Sequence, residues 1–266
     1  MKNQDLPSIS PRLLALFAAY GERYVSRSFH AVRLSRADRP DPEALRGKPL
    51  VVYLNHPSWW DPMICMLLAM RLFPERRHYA PIEGAALEKY RFFSKLGFFG
   101  VDGTIHGARR FLNVGRRILN QPDAVLWVTA EGRFTDPRRR PVELRPGLGR
   151  LLRGSTADAN VLPLALEYPF WDERFPEALA RFGRPIPAPA ESTMTARDWT
   201  LVLGGWLQVT QEGLAAEALT RDPSQFERLG RGRAGVGPAY DLWRRFRARL
   251  RGERFRAAHG AEEAGS

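Results

Sequence analysis

The sequence predicts an α/β fold, with a mixed, largely parallel sheet flanked by helices, an N-terminal amphipathic helix and C-terminal helices. Three observations lead there. The apolar runs at 50–54, 124–129 and 161–166 are too short for helices and suit strands buried on both faces. Longer segments with helical spacing alternate with them, separated by Gly, Pro, Asn and Asp. Periodic helical segments then flank the alternating region at both ends.

In chain order, residues 9–30, "ISPRLLALFAAYGERYVSRSFH", read as the N-terminal helix. Leu13, Leu14, Phe17, Tyr20, Tyr24 and Val25 fall near one face, while Arg12, Glu22, Arg23 and Arg27 lie largely elsewhere. A polar linker rich in Pro and Asp occupies 37–48. Strands are expected at 50–54, 78–82, 98–102, 124–129, 161–166 and 179–184, and helices at 63–73, 84–95 and 107–119. The Pro- and Ala-rich stretch 186–193 marks a boundary. Beyond it come a helix near 196–218, a loop over 221–238 and a basic helix over 239–258. The expected organisation is therefore an N-terminal helix and linker over 1–47, an α/β core over 48–190, and C-terminal helices with a basic tail over 191–266.

The 266 residues carry a formal charge of +12, which suits a polyanionic partner: nucleic acid, an anionic membrane surface or a phosphorylated substrate. Only four of the 41 basic residues are lysine, and Ala, Gly and Pro are abundant. Much of the arginine content is thus compositional, and single arginines carry little weight. The basic stretches lack interleaved aromatics over the core and no nucleic-acid motif is present, so no nucleic-acid partner is expected. The single cysteine, Cys65, sits in an apolar stretch and reads as a small buried hydrophobe. The longest apolar runs, 13–20 and 63–70, fall short of the ~20 residues that span a bilayer. The N-terminus does not read as a secretory signal, because its apolar run is short and a charged helical pattern continues past it.

The stretch "LNHPSWWDPM" at 54–63 carries the chemistry. As plain structure, Pro57 and Ser58 end a strand, and Asp61-Pro62 starts a helix with Asp as N-cap and Pro at the first helical position. As chemistry, His56 is a base and Asp61 the carboxylate that orients it. Trp59 and Trp60 either pack or line a substrate pocket. Ser58 lacks the Gly-x-Ser-x-Gly elbow of a serine nucleophile. The motif also supplies too few ligands for a metal, so no metal is expected.

Three further stretches follow in order: "GFFGVDG" at 97–103, "TAEGRFTD" at 129–136 and "VLPLAL" at 161–166. With "NHPSWWD" they resemble the blocks of the glycerolphosphate and lysophospholipid acyltransferase family, over residues 48–185. The resemblance implies transfer of a fatty acyl group from acyl-CoA or acyl carrier protein, as co-substrate rather than cofactor, to a hydroxyl of a lysophospholipid or glycerolphosphate-like acceptor. It implies His56 as general base and Asp61 as its orienter, acting without a covalent enzyme intermediate. Glu131 and Gly132 match the family's third block, and Arg133 would serve the acceptor phosphate. It also implies a cytoplasmic, bacterial-type enzyme of phospholipid synthesis, held peripherally on the inner face of the cell membrane. Three positions depart from the family pattern. Ala130 replaces a proline, Phe134 stands where an arginine is usual, and Gly103 replaces the arginine that closes the second block. Arg109 or Arg110 either compensates or belongs to a solvated helix face. The arginines at 138, 139, 140 and 145 read as a solvated run or as a phosphate-binding surface. The alternatives are an acyltransferase for a non-phosphate lipid alcohol (a glycolipid, aminolipid or carotenoid type), a nucleic-acid-binding protein, and a non-catalytic lipid-binding protein.

Overall fold

The structure is a computed structural model and describes residues 6–233. Its centre is a nine-stranded sheet in the order β4-β3-β5-β2-β6-β7-β1-β9, with β8 beside the first part of β6. The strands are β1 (Ala31–Ser35), β2 (Leu50–Leu54), β3 (Arg77–Glu83), β4 (Phe98–Val101), β5 (Ala124–Thr129), β6 (Ala159–Glu167), β7 (Glu177–Phe182), β8 (Ile186–Ala188) and β9 (Phe226–Arg231). The block from β4 to β6 is parallel throughout, while β6–β7, β6–β8 and β1–β9 pair antiparallel. The sheet is thus mixed and mostly parallel, as the alternating runs predict.

Two cores explain the apolar runs. On one face, α1 (Pro11–Ser28) and α2 (Asp61–Leu72) cover Leu50, Val52 and Leu54 with Val25, Phe29, Ile64 and Leu68. On the other, α4 (Ile105–Leu119), α5 (Gly147–Arg153) and α6 (Ala196–Thr220) cover Val51, Tyr53 and Leu126 with Val114, Ile118, Leu151 and Leu203. β2 is buried at every position, which is why its sequence is a continuous apolar run rather than an alternating one. Among the described residues no helix is long and apolar enough to cross a membrane.

The sheet takes strands from all three segments, 1–47, 48–190 and 191–266. β1 and β9 are not legible in the sequence. β1 reads "AVRLS", and its Arg33 is buried against Glu177 of β7. β9 reads "FERLGR" and is a polar edge strand, a composition that hides the apolar signal. The expected helix 84–95 divides into α3 (Gly84–Lys89) and a 3₁₀ segment over Arg91–Leu96. The arginine-rich run 137–150 ends in α5, whose Leu148, Leu151 and Leu152 are buried. The expected strand 179–184 starts two residues earlier, at Glu177. The basic helix expected over 239–258 lies outside the described residues.

Candidate active site

Parallel strands place the candidate residues at one end of the sheet. β2, β5 and β6 run in register, and their carboxyl ends open onto the same side, where open α/β sheets bind ligands. His56 follows β2, Glu131 follows β5, and Tyr168 follows β6.

His56 and Asp61 are in direct contact, with Nδ1 2.6 Å from the carboxylate Oδ2. Asp61 is 1 % exposed and the His56 side chain 18 %, so the pair is buried on the acid's side and reachable on the base's. The sequence expects Asp61 to cap α2. Instead Trp60 is the N-cap, no side chain caps the helix, and Asp61 is the first helical residue. Its carboxylate turns back into the loop. Oδ2 also accepts the Ser58 N–H at 3.2 Å, and Oδ1 accepts the Tyr168 hydroxyl at 2.7 Å. A buried carboxylate needs such partners. Burial, reinforced by the Asp61 charge, holds Tyr168 protonated, so it donates this bond.

The backbone around His56 is fixed from β5. Glu131 accepts the His56 N–H on Oε2 at 3.0 Å, and the His56 carbonyl accepts the Thr135 N–H at 3.0 Å. Burial raises the Glu131 carboxyl, while the His56 N–H works in the opposite direction. Gly132 has φ +64°, which glycine adopts at least cost, and an added Cβ would lie 2.5 Å from the Arg145 side chain. That turn brings Phe134 over the imidazole, with ring centroids 4.2 Å apart and an interplanar angle of 31°. Asn55, one residue before His56, is buried and clamps β6 by exchanging two hydrogen bonds with Leu166.

The remaining candidates sit at varying remove. Trp60 packs against Tyr24 (5.1 Å) and Phe29 (4.9 Å) at the end of α1. Trp59 stacks on Trp60 at 4.4 Å and stays exposed. Arg133 is 56 % exposed, with Nη2 3.8 Å from Glu143. Arg110 lies on the exposed side of α4, without a hydrogen-bond or ion-pair partner among the described residues. At Gly103 an added Cβ would meet nothing within 4 Å. In the basic run, Arg138 pairs with Asp136, Arg139 with Glu143 and Arg140 with Glu212.

Two other reactive side chains are excluded as alternatives. Burial, then the Asp61 charge, pushes the Cys65 thiol well up, so it is no thiolate nucleophile. His78 is buried, and burial lowers it to about 4. Its Nδ1 accepts the Trp127 indole N–H at 3.1 Å, so Nε2 carries the proton and donates to the Phe73 carbonyl at 3.0 Å. Among the described residues no cluster of His, Cys, Asp and Glu could hold a metal ion.

With this geometry in place, the chain can be set beside known proteins. It is similar to the crystal structure of the 1-acyl-sn-glycerophosphate (LPA) acyltransferase PlsC from Thermotoga maritima, with a TM-score of 0.50 over 77 % of this chain and 79 % of that one. The two share the fold. Identity is 14 %, so the likeness is one of architecture. No family model and no curated protein sequence matches the chain.

Tyr168, Phe134 and Thr135 escaped the sequence reading as members of this site. The only available signal for Tyr168 was its position just past an apolar strand.

Proposed function

We propose that the protein is an O-acyltransferase that moves a fatty acyl group from acyl-CoA or acyl carrier protein to a hydroxyl of a lysophospholipid or glycerolphosphate-like acceptor. The observation that carries this reading is the 2.6 Å His56–Asp61 pair at the carboxyl ends of β2, β5 and β6.

With Nδ1 held by Asp61, Nε2 is the nitrogen left for substrate. It takes the proton of the acceptor hydroxyl as the oxygen attacks the thioester carbonyl. The tetrahedral intermediate then expels the thiolate, which recovers that proton from the imidazolium as free thiol. Asp61 fixes the tautomer and stabilises the imidazolium, and Tyr168 and Ser58 keep the carboxylate aimed. Glu131 acts on the same atoms at one remove, by holding the His56 backbone. No covalent acyl-enzyme is needed.

Arg133 is the proposed phosphate contact, and its half-exposed guanidinium leaves donors for an anion. A second reading, a non-phosphate lipid alcohol as acceptor, is favoured by Gly103, where no arginine closes the second block. One experiment separates them. Purified protein is offered labelled acyl-CoA and either lysophosphatidate or monoacylglycerol, with products read by mass spectrometry. On the first reading, Arg133→Ala raises the lysophosphatidate KM by roughly tenfold or more, as loss of a charge-assisted hydrogen bond would, and leaves monoacylglycerol unaffected. Equal activity of the variant on lysophosphatidate removes Arg133 from this role.

A lipid acceptor requires contact with a membrane surface. α1 supports such contact: Leu16 and Tyr20 are exposed, and a band of rings runs from Tyr20 through Tyr24 to Trp59 beside the catalytic loop. Exposed aromatics of this kind suit the headgroup region. Full-length protein should float with anionic vesicles, less so in high salt, and the Leu16→Glu/Tyr20→Glu double variant should float several-fold less. Undiminished flotation of that variant would move the contact away from α1.

A further inference from the structure

We propose that Arg133 and Arg139 form one binding site for a phosphate monoester beside the catalytic histidine, and that Glu143 is the internal anion which this ligand displaces. The site rests on the acyltransferase reading for calling its ligand a substrate, but not for the chemistry of the two arginines. Glu143 Oε2 stands between the guanidinia, 3.8 Å from Nη2 of Arg133 and 4.0 Å from Nη2 of Arg139. Both separations are too long for hydrogen bonds. One carboxylate oxygen thus answers two cations without satisfying a donor on either.

Anchored backbone brings these three side chains together next to His56. Arg133 lies in the turn between Glu131, which accepts the His56 N–H, and Thr135, whose N–H goes to the His56 carbonyl. Arg139 closes the next turn, donating its N–H to the Asp136 carbonyl at 3.0 Å. Glu143 sits between Val142 and Leu144, which pack against the core beneath α6. The Val142 N–H also reaches Gln208 of α6 at 3.3 Å, and the Arg145 N–H ties the segment to the Ala130 carbonyl at 2.9 Å. Burial raises the Glu131 carboxyl, and Arg133 and Arg139 both stand close enough to work against that. The two guanidinia therefore share the surroundings of the residue that holds the His56 backbone.

The chemistry of the cluster selects the ligand. The neighbouring arginines are already engaged. Arg138 grips Asp136 with Nε and Nη2, at 2.9 and 2.7 Å. Arg140 gives Nε to Glu212 at 3.3 Å and Nη1 to the carbonyls of Pro137 and Arg139. By contrast, neither the Arg133 nor the Arg139 guanidinium donates a hydrogen bond among the described residues. Both arginines and Glu143 are more than half exposed, so a ligand can reach the donors and the carboxylate can swing aside. An exposed ion pair at this separation contributes little, so breaking it costs little. A phosphate monoester brings a charge of about −1.5 to −2 and can meet both guanidinium forks in bidentate fashion. A neutral headgroup would leave Glu143 in place, and an ammonium would face two cations. Both a lysophosphatidate-like acceptor and the ribose phosphate of CoA carry the required group.

The test is equilibrium binding to full-length protein by calorimetry, with octyl phosphate as probe and octyl glucoside as neutral control, both below their micellar concentrations. Melting transitions of the variants are compared with wild type. Wild type should bind octyl phosphate in preference to octyl glucoside. Arg139→Gln should weaken octyl phosphate binding by about tenfold, the loss of one charge-assisted contact. Glu143→Gln should tighten it by about threefold, because the competing carboxylate is gone. Arg138→Gln makes the same change of charge at an arginine already held by Asp136, and should alter binding by less than about twofold. The site is overturned by a lack of preference for octyl phosphate, by unchanged binding in Arg139→Gln, by unchanged or weaker binding in Glu143→Gln, or by an equal loss in Arg138→Gln. CoA and dephospho-CoA identify the source of the phosphate. A preference for CoA that Arg139→Gln abolishes assigns the site to the donor, and equal binding of the two by every variant assigns it to the acceptor. Acyl transfer is measured separately on the same proteins. Absent transfer with the octyl phosphate responses intact would sink the enzymatic reading and leave the anion site standing.

Discussion

His56→Ala is expected to lower acyl transfer by ~10²–10⁴-fold, the usual contribution of a general base, while the melting transition stays near wild type. The reason for the split lies in how the residue is held. Its position depends on backbone bonds, the N–H to Glu131 and the carbonyl from Thr135, and these survive truncation of the side chain. The imidazole contributes one hydrogen bond to Asp61 and one ring contact to Phe134. Asp61 keeps Ser58 and Tyr168 as partners, so no bare buried charge is left behind. The acceptor KM should change less than kcat, because the base acts mainly on the transition state. Turnover and denaturation measured on the same preparation check both halves. Near-normal turnover from the folded variant would remove His56 from the chemistry.

The largest loss of stability is expected from Glu177→Ala. Glu177 and Arg33 are each 2 % exposed and paired at 2.9 Å, between β7 and β1. Arg33 also lies over the Trp171 ring, 5.3 Å from its centroid. Removing the acid takes a paired carboxylate away from a guanidinium sealed inside the sheet and from the His30 ring 3.8 Å away; breaking a buried pair costs ~3–5 kcal/mol in comparable cases. Replacing both residues together, Arg33→Met with Glu177→Leu, should cost less, because the guanidinium and the carboxylate of this pair are then removed together. Urea denaturation of the three proteins tests this. Equal destabilisation by the single and double changes would mean that packing, not charge, holds β1 in place.

These two sites also mark what could be read from the sequence. β2, β5 and β6 were legible because full burial writes a continuous apolar run into the chain. His56 and Asp61 were legible because a loop of four residues separates them. Arg33 and Glu177 are 144 residues apart, so neither "AVRLS" nor "EALARF" alone reveals that a buried arginine has its partner. The same separation problem hid Tyr168, which reaches Asp61 across 107 residues. Asp61 itself was half legible. Asp-Pro correctly marked the start of α2, but the carboxylate faces His56 and Tyr168 rather than the helix end. Arg110 and Arg133 show the opposite difficulty: in a chain this rich in arginine, position in a motif does not distinguish a ligand contact from a solvated side chain.

His56, oriented by Asp61, is expected to pass an acyl group directly from a thioester to a lipid hydroxyl. A single-turnover quench tests it, with enzyme in excess over acyl-labelled CoA, a lysolipid acceptor present, and wild type run beside His56→Ala. Label should leave the thioester and appear in an ester of the lipid, with none bound to wild-type protein at any time, and the variant should leave the label on CoA. Label trapped on the protein, or equal transfer by the variant, would contradict it.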